Sequence, residues 1–340
     1  MTGPSTAPVT PLPTPSPGAR RGPGWDSPRA AFVARRLARA GVCIAVVLVA
    51  TFFLVQLVPG DPVRAALGPT APPETVEALR VQLGLDRPIG EQFGRYLGGL
   101  VTGDLGVSVT SQRPVTAILA ERLPTTLLLA VASFLVAAVG AFPIGVATAV
   151  SAYGGRHRPL DLAASGLLGV LVAVPNFLLA VLLIAVFSVG LGMLPPAGWA
   201  GPVHAVLPVL ALAAGPLAYL ARIVHVEMLR VLAAPYLTTA RSKRLPARLL
   251  YARHALPNIV TASLTAGGVV LTGLVAGTVL VETVFVIPGI GSTIVSSIAT
   301  RDYPLIQGLV LVYAALVLAA NLFIDLALAV LDPRSAIAEA

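Results

Sequence analysis

"LAASGLLGVLVAVPNFLLAVLLIAVFSVGLGMLPPAGWAGPVHAVLPVLALAAGPLAYLA" fills Leu162–Ala221 without one Asp, Glu, Lys or Arg. At a rise of ~1.5 Å per residue, one helix of this length would overshoot a ~30 Å hydrocarbon core about threefold. Its middle, "GLGMLPPAGWAGPVH" (Gly190–His204), carries the Gly and Pro residues that break helices. The stretch therefore reads as two membrane crossings, at about 162–188 and 205–222. Outward from it lie four more apolar runs: 40–58, a second from near Pro124 to Gly155, 259–281 and 305–330. The chain is 56% hydrophobic and only 11% charged. A soluble domain carries roughly 25% charged residues. The expectation is an all-α membrane protein with six transmembrane helices.

Arginine placement orients the crossings. Arg29, Arg35, Arg36 and Arg39 precede the first, and Arg156 and Arg158 lie between the second and third. Between the fourth and fifth stand Arg222, Arg230, Arg241, Lys243, Arg244, Arg248 and Arg253, opposed by Glu227 alone. The alternate connections are bare or balanced: 189–204 has no formal charge, and 282–304 has Glu282, Arg301 and Asp302. The positive-inside rule puts the arginine-rich side, and both termini, in the cytoplasm. Residues 1–28, with Pro4, Pro8, Pro11, Pro13, Pro15, Pro17, Pro23 and Pro28, read as a disordered cytoplasmic tail and not a signal peptide. Residues 29–58 form the first helix with its basic flank, and 59–123 an external loop. In that loop Val76, Leu79 and Leu83, then Ile89, Phe93, Leu97 and Leu100, predict two short amphipathic helices on the outer membrane face or against a partner. Residues 124–335 hold the other five crossings.

Several chemistries are absent from the sequence. There is no G-x-x-x-x-G-K-[ST] loop, no H-E-x-x-H and no paired Cys/His spacing, and Cys43 is the single cysteine. No cofactor is expected on this chain, and the net charge of +8 fits membrane orientation better than nucleic acid. An intramembrane protease remains as an enzymatic alternative, distinguished by peptide hydrolysis. The candidates for pathway or packing are Pro175, expected to kink the third crossing, its neighbour Asn176, Gly273 and Gly277 as a small-xxx-small pair, Glu282, Asn321 and Asp325. Asp325 reads either as a polar point in the sixth crossing or as a hydrated boundary residue, and Glu282 has the same two readings at the fifth.

The basic segment "TTARSKRLPARLLYARHALPN" (Thr238–Asn258) sits within the cytoplasmic stretch 233–257 and the start of the fifth crossing. Pro246 suits a helix start; Leu249, Ala252 and Leu256 then form a stripe, and Arg241, Arg244 and Arg248 gather on another face. A basic amphipathic helix on anionic lipid is one reading. The other comes from spacing. The segment resembles the coupling motif of ABC importer permeases, Glu-Ala-Ala, three residues, Gly, nine residues, Ile-x-Leu-Pro. Thr238-Thr239-Ala240 take the first places, Arg244 the glycine, and His254-Ala255-Leu256-Pro257 the end.

Other stretches narrow the resemblance to the first-type subunit of dipeptide/oligopeptide/nickel permeases. They are Pro59-Gly60-Asp61-Pro62, Gly103-Asp104-Leu105-Gly106-Val107-Ser108, Pro114-Val115, Glu121-Arg122-Leu123-Pro124-Thr125-Thr126-Leu127, Glu282-Thr283-Val284-Phe285, Pro288-Gly289-Ile290-Gly291, Arg301-Asp302-Tyr303-Pro304 and Asp332-Pro333-Arg334. Ala234-Pro235 depart from the family, whose members carry an acid shortly before the tyrosine matching Tyr236. The resemblance implies a type I importer bundle and a second permease as heterodimer partner. It also implies two ATP-binding subunits that hold ATP and Mg, a substrate-binding lipoprotein outside, and cargo of di- or oligopeptides, or alternatively nickel chelates, glutathione or opines. Tyr236, Thr239, Ala240, Arg241, Arg244, Leu245, Arg248, Leu249, His254, Leu256 and Pro257 would then meet the ATPase. A stand-alone secondary carrier is the remaining reading, separated by ATP-independent uptake.

The arginine asymmetry generates a topology test. In a Cys43→Ser background, Ala197→Cys should react with an impermeant thiol reagent applied to intact cells, and Ala247→Cys only after the cells are opened. The reverse pattern would overturn the orientation.

Overall fold

The computed structural model describes residues 28–57, 62–68, 70–153, 158–243, 246 and 249–331. The Pro-rich tail, Pro59-Gly60-Asp61 and Asp332-Pro333-Arg334 lie outside these. The described chain is helical, with a single isolated bridge between Val107 and Pro114 among those residues. In order the helices are α1 (Pro28–Leu57), α2 (Pro62–Leu67), α3 (Pro73–Leu83), α4 (Ile89–Thr102), α5 (Val115–Tyr153), α6 (Arg158–Ala173), α7 (Asn176–Leu183), α8 (Pro202–Leu232), α9 (Pro235–Ser242), α10 (Leu256–Val284), α11 (Ile290–Thr300) and α12 (Tyr303–Leu331). Two π-helical stretches, Ile184–Gly190 and Leu250–Ala255, extend α7 and lead into α10.

Five helices are long and apolar enough to cross a membrane, through Ala34–Phe53, Val115–Tyr153, Pro202–Leu232, Ala266–Val284 and Tyr303–Ile324. The remaining crossing, third in chain order, is a broken one: Leu162–Ala173 and Asn176–Gly190 meet at 106°. Pro175 therefore does more than kink the third crossing. It takes an extended conformation (φ −60°, ψ 140°) and separates two helices. The second crossing begins at Val115, ahead of the expected Pro124, which lies inside the helix along with Pro143. A proline deprives one carbonyl of its donor, and membrane helices accept this because neighbouring groups re-satisfy it. The chain is a multi-pass, all-α membrane protein.

Small residues set the helix spacing. The most extensive helix contact is α5 on α8, and it is a seam of alanine and glycine. Ala137, Ala141, Ala149, Ala218 and Ala221 have no exposed surface. A Cβ on Gly145 would lie 2.6 Å from the Ala221 carbonyl oxygen and 2.6 Å from Val224 Cβ, so only glycine fits there. Without a hydrophobic driving force between helices in lipid, such close approach supplies the dispersion contact that holds them. The Gly273/Gly277 pair does not act as one packing unit. A Cβ on Gly273 would meet nothing within 4 Å, whereas one on Gly277 would meet Leu212 Cδ1 at 3.0 Å and Asn176 Nδ2 at 3.3 Å. The close glycine on this helix is Gly268, whose Cβ would fall 2.4 Å from Ile324 Cγ2 of α12. Spacing alone could not say which glycines face a neighbour.

The amphipathic helices expected within 59–123 are α3 and α4. Each starts after a proline and ends at a glycine in the left-handed region, Gly84 (φ 67°) and Gly103 (φ 78°). The apolar face of α4 rests on α1, with Phe52 against Phe93 at 5.0 Å and against Tyr96 at 5.8 Å between ring centroids.

Gly145→Val should collide with backbone in the α5–α8 seam and cost ~3 kcal/mol or more. The detergent-purified protein should lose roughly 5 °C or more in unfolding midpoint. Gly166→Val, where a Cβ meets nothing within 4 Å, should leave the midpoint unchanged.

Candidate functional site: a joint at one end and a knob at the other

At the end of the bundle that carries the 103–114 loop, two buried acids organise the chain. Glu282, in the last turn of α10, has no exposed surface. Thr126 Oγ1 donates to its Oε1 at 2.7 Å, and the Ser292 N–H donates to its Oε2 at 3.0 Å. Thr126 in turn accepts the Ile290 N–H at 2.8 Å. The carboxylate thus caps α11 by taking N–H groups of a first turn that have no partner within the helix. One threonine on α5 completes the three-helix joint. The two glycines in Pro288-Gly289-Ile290-Gly291 clear the space: a Cβ on Gly289 would lie 2.3 Å from Glu282 Cδ, and one on Gly291 2.5 Å from Val279 Cα. Neither sequence reading of Glu282, as a pathway charge or a hydrated boundary residue, describes this. The acid serves as an internal cap.

Asp302 does the same for a loop. It is 1% exposed. Ser108 Oγ donates to its Oδ2 at 2.5 Å, the Val109 N–H to Oδ1 and the Thr110 N–H to Oδ2, each at 3.1 Å, and the Leu305 N–H to Oδ1 at 3.4 Å. It therefore caps the start of α12 and clamps the 103–114 loop together. The sequence quotes both partners, in Gly103–Ser108 and Arg301–Pro304, yet nothing in either stretch names the other.

At the opposite end lies a knob. Leu237 and Ala240 of α9, with Leu250, Ala255 and Ile259, are buried against Ala149, Val224, Met228 and Leu232. Ala240, a coupling candidate, therefore faces the bundle. The π-helical turn explains the inward face, because its wider i→i+5 turn brings residues five apart closer to one face than an α-helix does. Leu250 and Ala255 point inward together, while Leu249 and Leu256 are each 37% exposed. Tyr236, Thr239, Arg253 and Pro257 are also exposed, and His254 is half-buried. Asn258 Nδ2 donates to Tyr236 Oη at 3.2 Å and to the His254 carbonyl at 2.8 Å, tying α9 to the start of α10. Behind the knob an apolar cavity of about 390 Å³ is lined by Phe142, Pro143, Val146, Met228, Tyr251, Leu256 and Ile259. Arg244, Leu245 and Arg248 lie outside the described residues. Arg241 lies in α9 and Asp325 in α12.

Between the two ends, Asn321 of α12 accepts a hydrogen bond from Thr272 of α10. Nearby Tyr313 donates to the Val275 carbonyl and lies 3.2 Å from Thr278 Oγ1. Asn321 is thus a packing residue. Sequence reasoning missed Thr126, Ser292, Ser108, Leu237 and Leu250; of these, the signal available was a glycine pair close after an acid, which marks a carboxylate pressed against backbone.

Comparison with known proteins fits this architecture. Residues 141–337 match the family described as binding-protein-dependent transport system inner membrane component, and residues 30–130 match its N-terminal companion. A Brucella suis protein named as a peptide transport system permease is 37% identical over 89% of this chain and 98% of its own length. The glutathione transport system permease protein GsiC of Escherichia coli K12 is 36% identical over 89% and 97%. A solved amino acid ABC transporter chain aligns at TM-score 0.45 and 20% identity, covering 64% of this chain and 94% of that one. The chain belongs to the binding-protein-dependent transport system inner membrane components, and it is an ABC importer permease.

The joint and the clamp predict separable losses. Glu282→Ala and Asp302→Ala should each strand backbone N–H groups, at about 1–3 kcal/mol per donor, and lower the unfolding midpoint by roughly 5 °C. Asp302→Asn, which keeps an acceptor, should lose less. Thermal unfolding of the purified variants checks the order.

Proposed function

We propose that this chain forms one half of the translocation pathway of an ATP-driven importer of di- and oligopeptides in a bacterial cell membrane. Both termini and the knob face the cytoplasm, and the 103–114 clamp and α11 face outside. A substrate-binding lipoprotein delivers cargo, and a second permease completes the pathway. Two ATP-binding subunits supply hydrolysis, holding the ATP and Mg that this chain does not. The observation that carries the reading is the knob. It sits on a packed apolar base yet presents Tyr236, Leu249 and Leu256 outward beside the exposed Arg253. An apolar patch with a basic edge suits a protein groove; closure of the ATPase pair then moves α9 and the foot of α10 together. Work passes only if the two nucleotide states bind the knob differently.

Glutathione is the second cargo reading, favoured by the similarity to glutathione transport system permeases at 36–38% identity. Uptake of a labelled dipeptide and of glutathione, by cells expressing the complete transporter, separates the two. Arginine placement and the alternation of crossings support the orientation.

Docking has its own test. Leu249→Asp should reduce copurification of the ATP-binding subunits and uptake by tenfold or more, since an unpaired charge buried in a groove costs several kcal/mol. Arg253→Glu should weaken assembly more at low than at high salt. Normal copurification and uptake in both variants would overturn docking and leave the knob as a lipid-surface element.

A further inference from the structure

The break in the third crossing has a chemical consequence deep in the bundle. Pro175 has no N–H, so the Leu171 carbonyl loses the donor that a continuous helix would give it. Asn176 follows at the start of α7. Both groups lie close to two other crossings. A Cβ on Gly215 of α8 would lie 3.4 Å from Asn176 Oδ1 and 3.5 Å from the Leu171 oxygen. One on Gly277 of α10 would lie 3.3 Å from Asn176 Nδ2. Neither glycine has a positive φ, so what they contribute is room.

The Asn176 amide is half-buried and makes no hydrogen bond with any described residue. Thr126 meets Glu282, Asn321 meets Thr272 and Thr278 lies against Tyr313, whereas the Ser188 and Ser263 hydroxyls are buried without a partner. The polar atoms of Asn176 keep some exposed surface, unlike those two fully buried and unpaired hydroxyls. Irregular backbone at membrane depth persists where protein covers it or where it lines a watery cavity. The unmet amide and carbonyl therefore mark a place that water or cargo fills.

We propose that Asn176 is a cargo contact in the pathway that hydrogen-bonds the main-chain amides of passing peptides, with the Leu171 carbonyl beside it and Gly215 and Gly277 leaving room for its amide. This rests on the peptide-import reading above. A side-chain amide offers two donors and an acceptor, the complement of a peptide unit's C=O and N–H. It reads no side chain, which suits cargo of varied sequence. The absence of any Asp, Glu, Lys or Arg from Leu162 to Ala221 favours a neutral polar group over a phosphate or carboxylate as the matching chemistry.

The complete transporter, with its own partner subunits, is reconstituted in proteoliposomes in a Cys43→Ser background. Asn176→Cys should be modified by a cationic, water-soluble methanethiosulfonate, and saturating dipeptide with the binding protein should protect it. Leu178→Cys, on a face that is 51% exposed at the bundle surface, should stay unmodified. Asn176→Leu should lower dipeptide uptake about tenfold, the equivalent of one lost hydrogen bond, while ATP hydrolysis continues. The same substitution should cost less uptake for an ester-linked analogue, which keeps the carbonyl but lacks the amide N–H. If Asn176→Leu fails to assemble, the labelling and protection of Asn176→Cys decide alone. Uptake of dipeptide by the parent, with Asn176→Cys unmodified or unprotected, would overturn the inference and spare the peptide reading. No dipeptide uptake by the parent, with glutathione or another cargo carried instead, would overturn the peptide reading and this inference with it.

Discussion

Hydrocarbon offers no hydrogen-bond partners, and this constraint governs where each polar group of the chain is placed. Backbone groups meet it by running as helices through five crossings and a broken sixth. Side chains meet it by pairing across helices, as Thr272 does with Asn321. The helices can then approach only as closely as their side chains allow, which is why α5 and α8 meet through alanines and Gly145. Composition, helix geometry and packing follow from one scarcity.

The two buried acids meet the same constraint at the end of the bundle where the chain turns back. A helix beginning there leaves N–H groups without partners. Glu282 takes those of α11, and Asp302 takes those of α12 together with the 103–114 loop. Each carboxylate spares the chain a set of stranded donors and fixes one segment against another. On the proposed reading this is the outer end, so the surface offered to a binding protein is held by two side chains that never reach it.

Much of this was legible in the sequence, and the rest was hidden for identifiable reasons. The crossings showed themselves as charge-free runs because insertion demands them. Helices α3 and α4 showed themselves through apolar spacing, with a proline before and a glycine after each. Glu282 was visible as an acid near a boundary, but its role depends on Thr126, which is 156 positions away. The knob was found by motif, while its facing was not: a stripe drawn at α-helical spacing misses the inward pair Leu250 and Ala255, because the turn between them is π-helical. Gly273 and Gly277 share a pattern but not an environment. Spacing along a chain records which residues align on one helix; what stands opposite is settled by other helices.

The hydrogen bond from Ser108 to Asp302 joins positions 194 residues apart. During synthesis the 103–114 loop precedes its anchoring carboxylate, with α5 to α11 made between them. The Val109 and Thr110 N–H groups must therefore wait for this acceptor until Asp302 has been made. A chain cut short before Asp302 would display an open loop, so the clamp reports that the helices between its two halves have been synthesised.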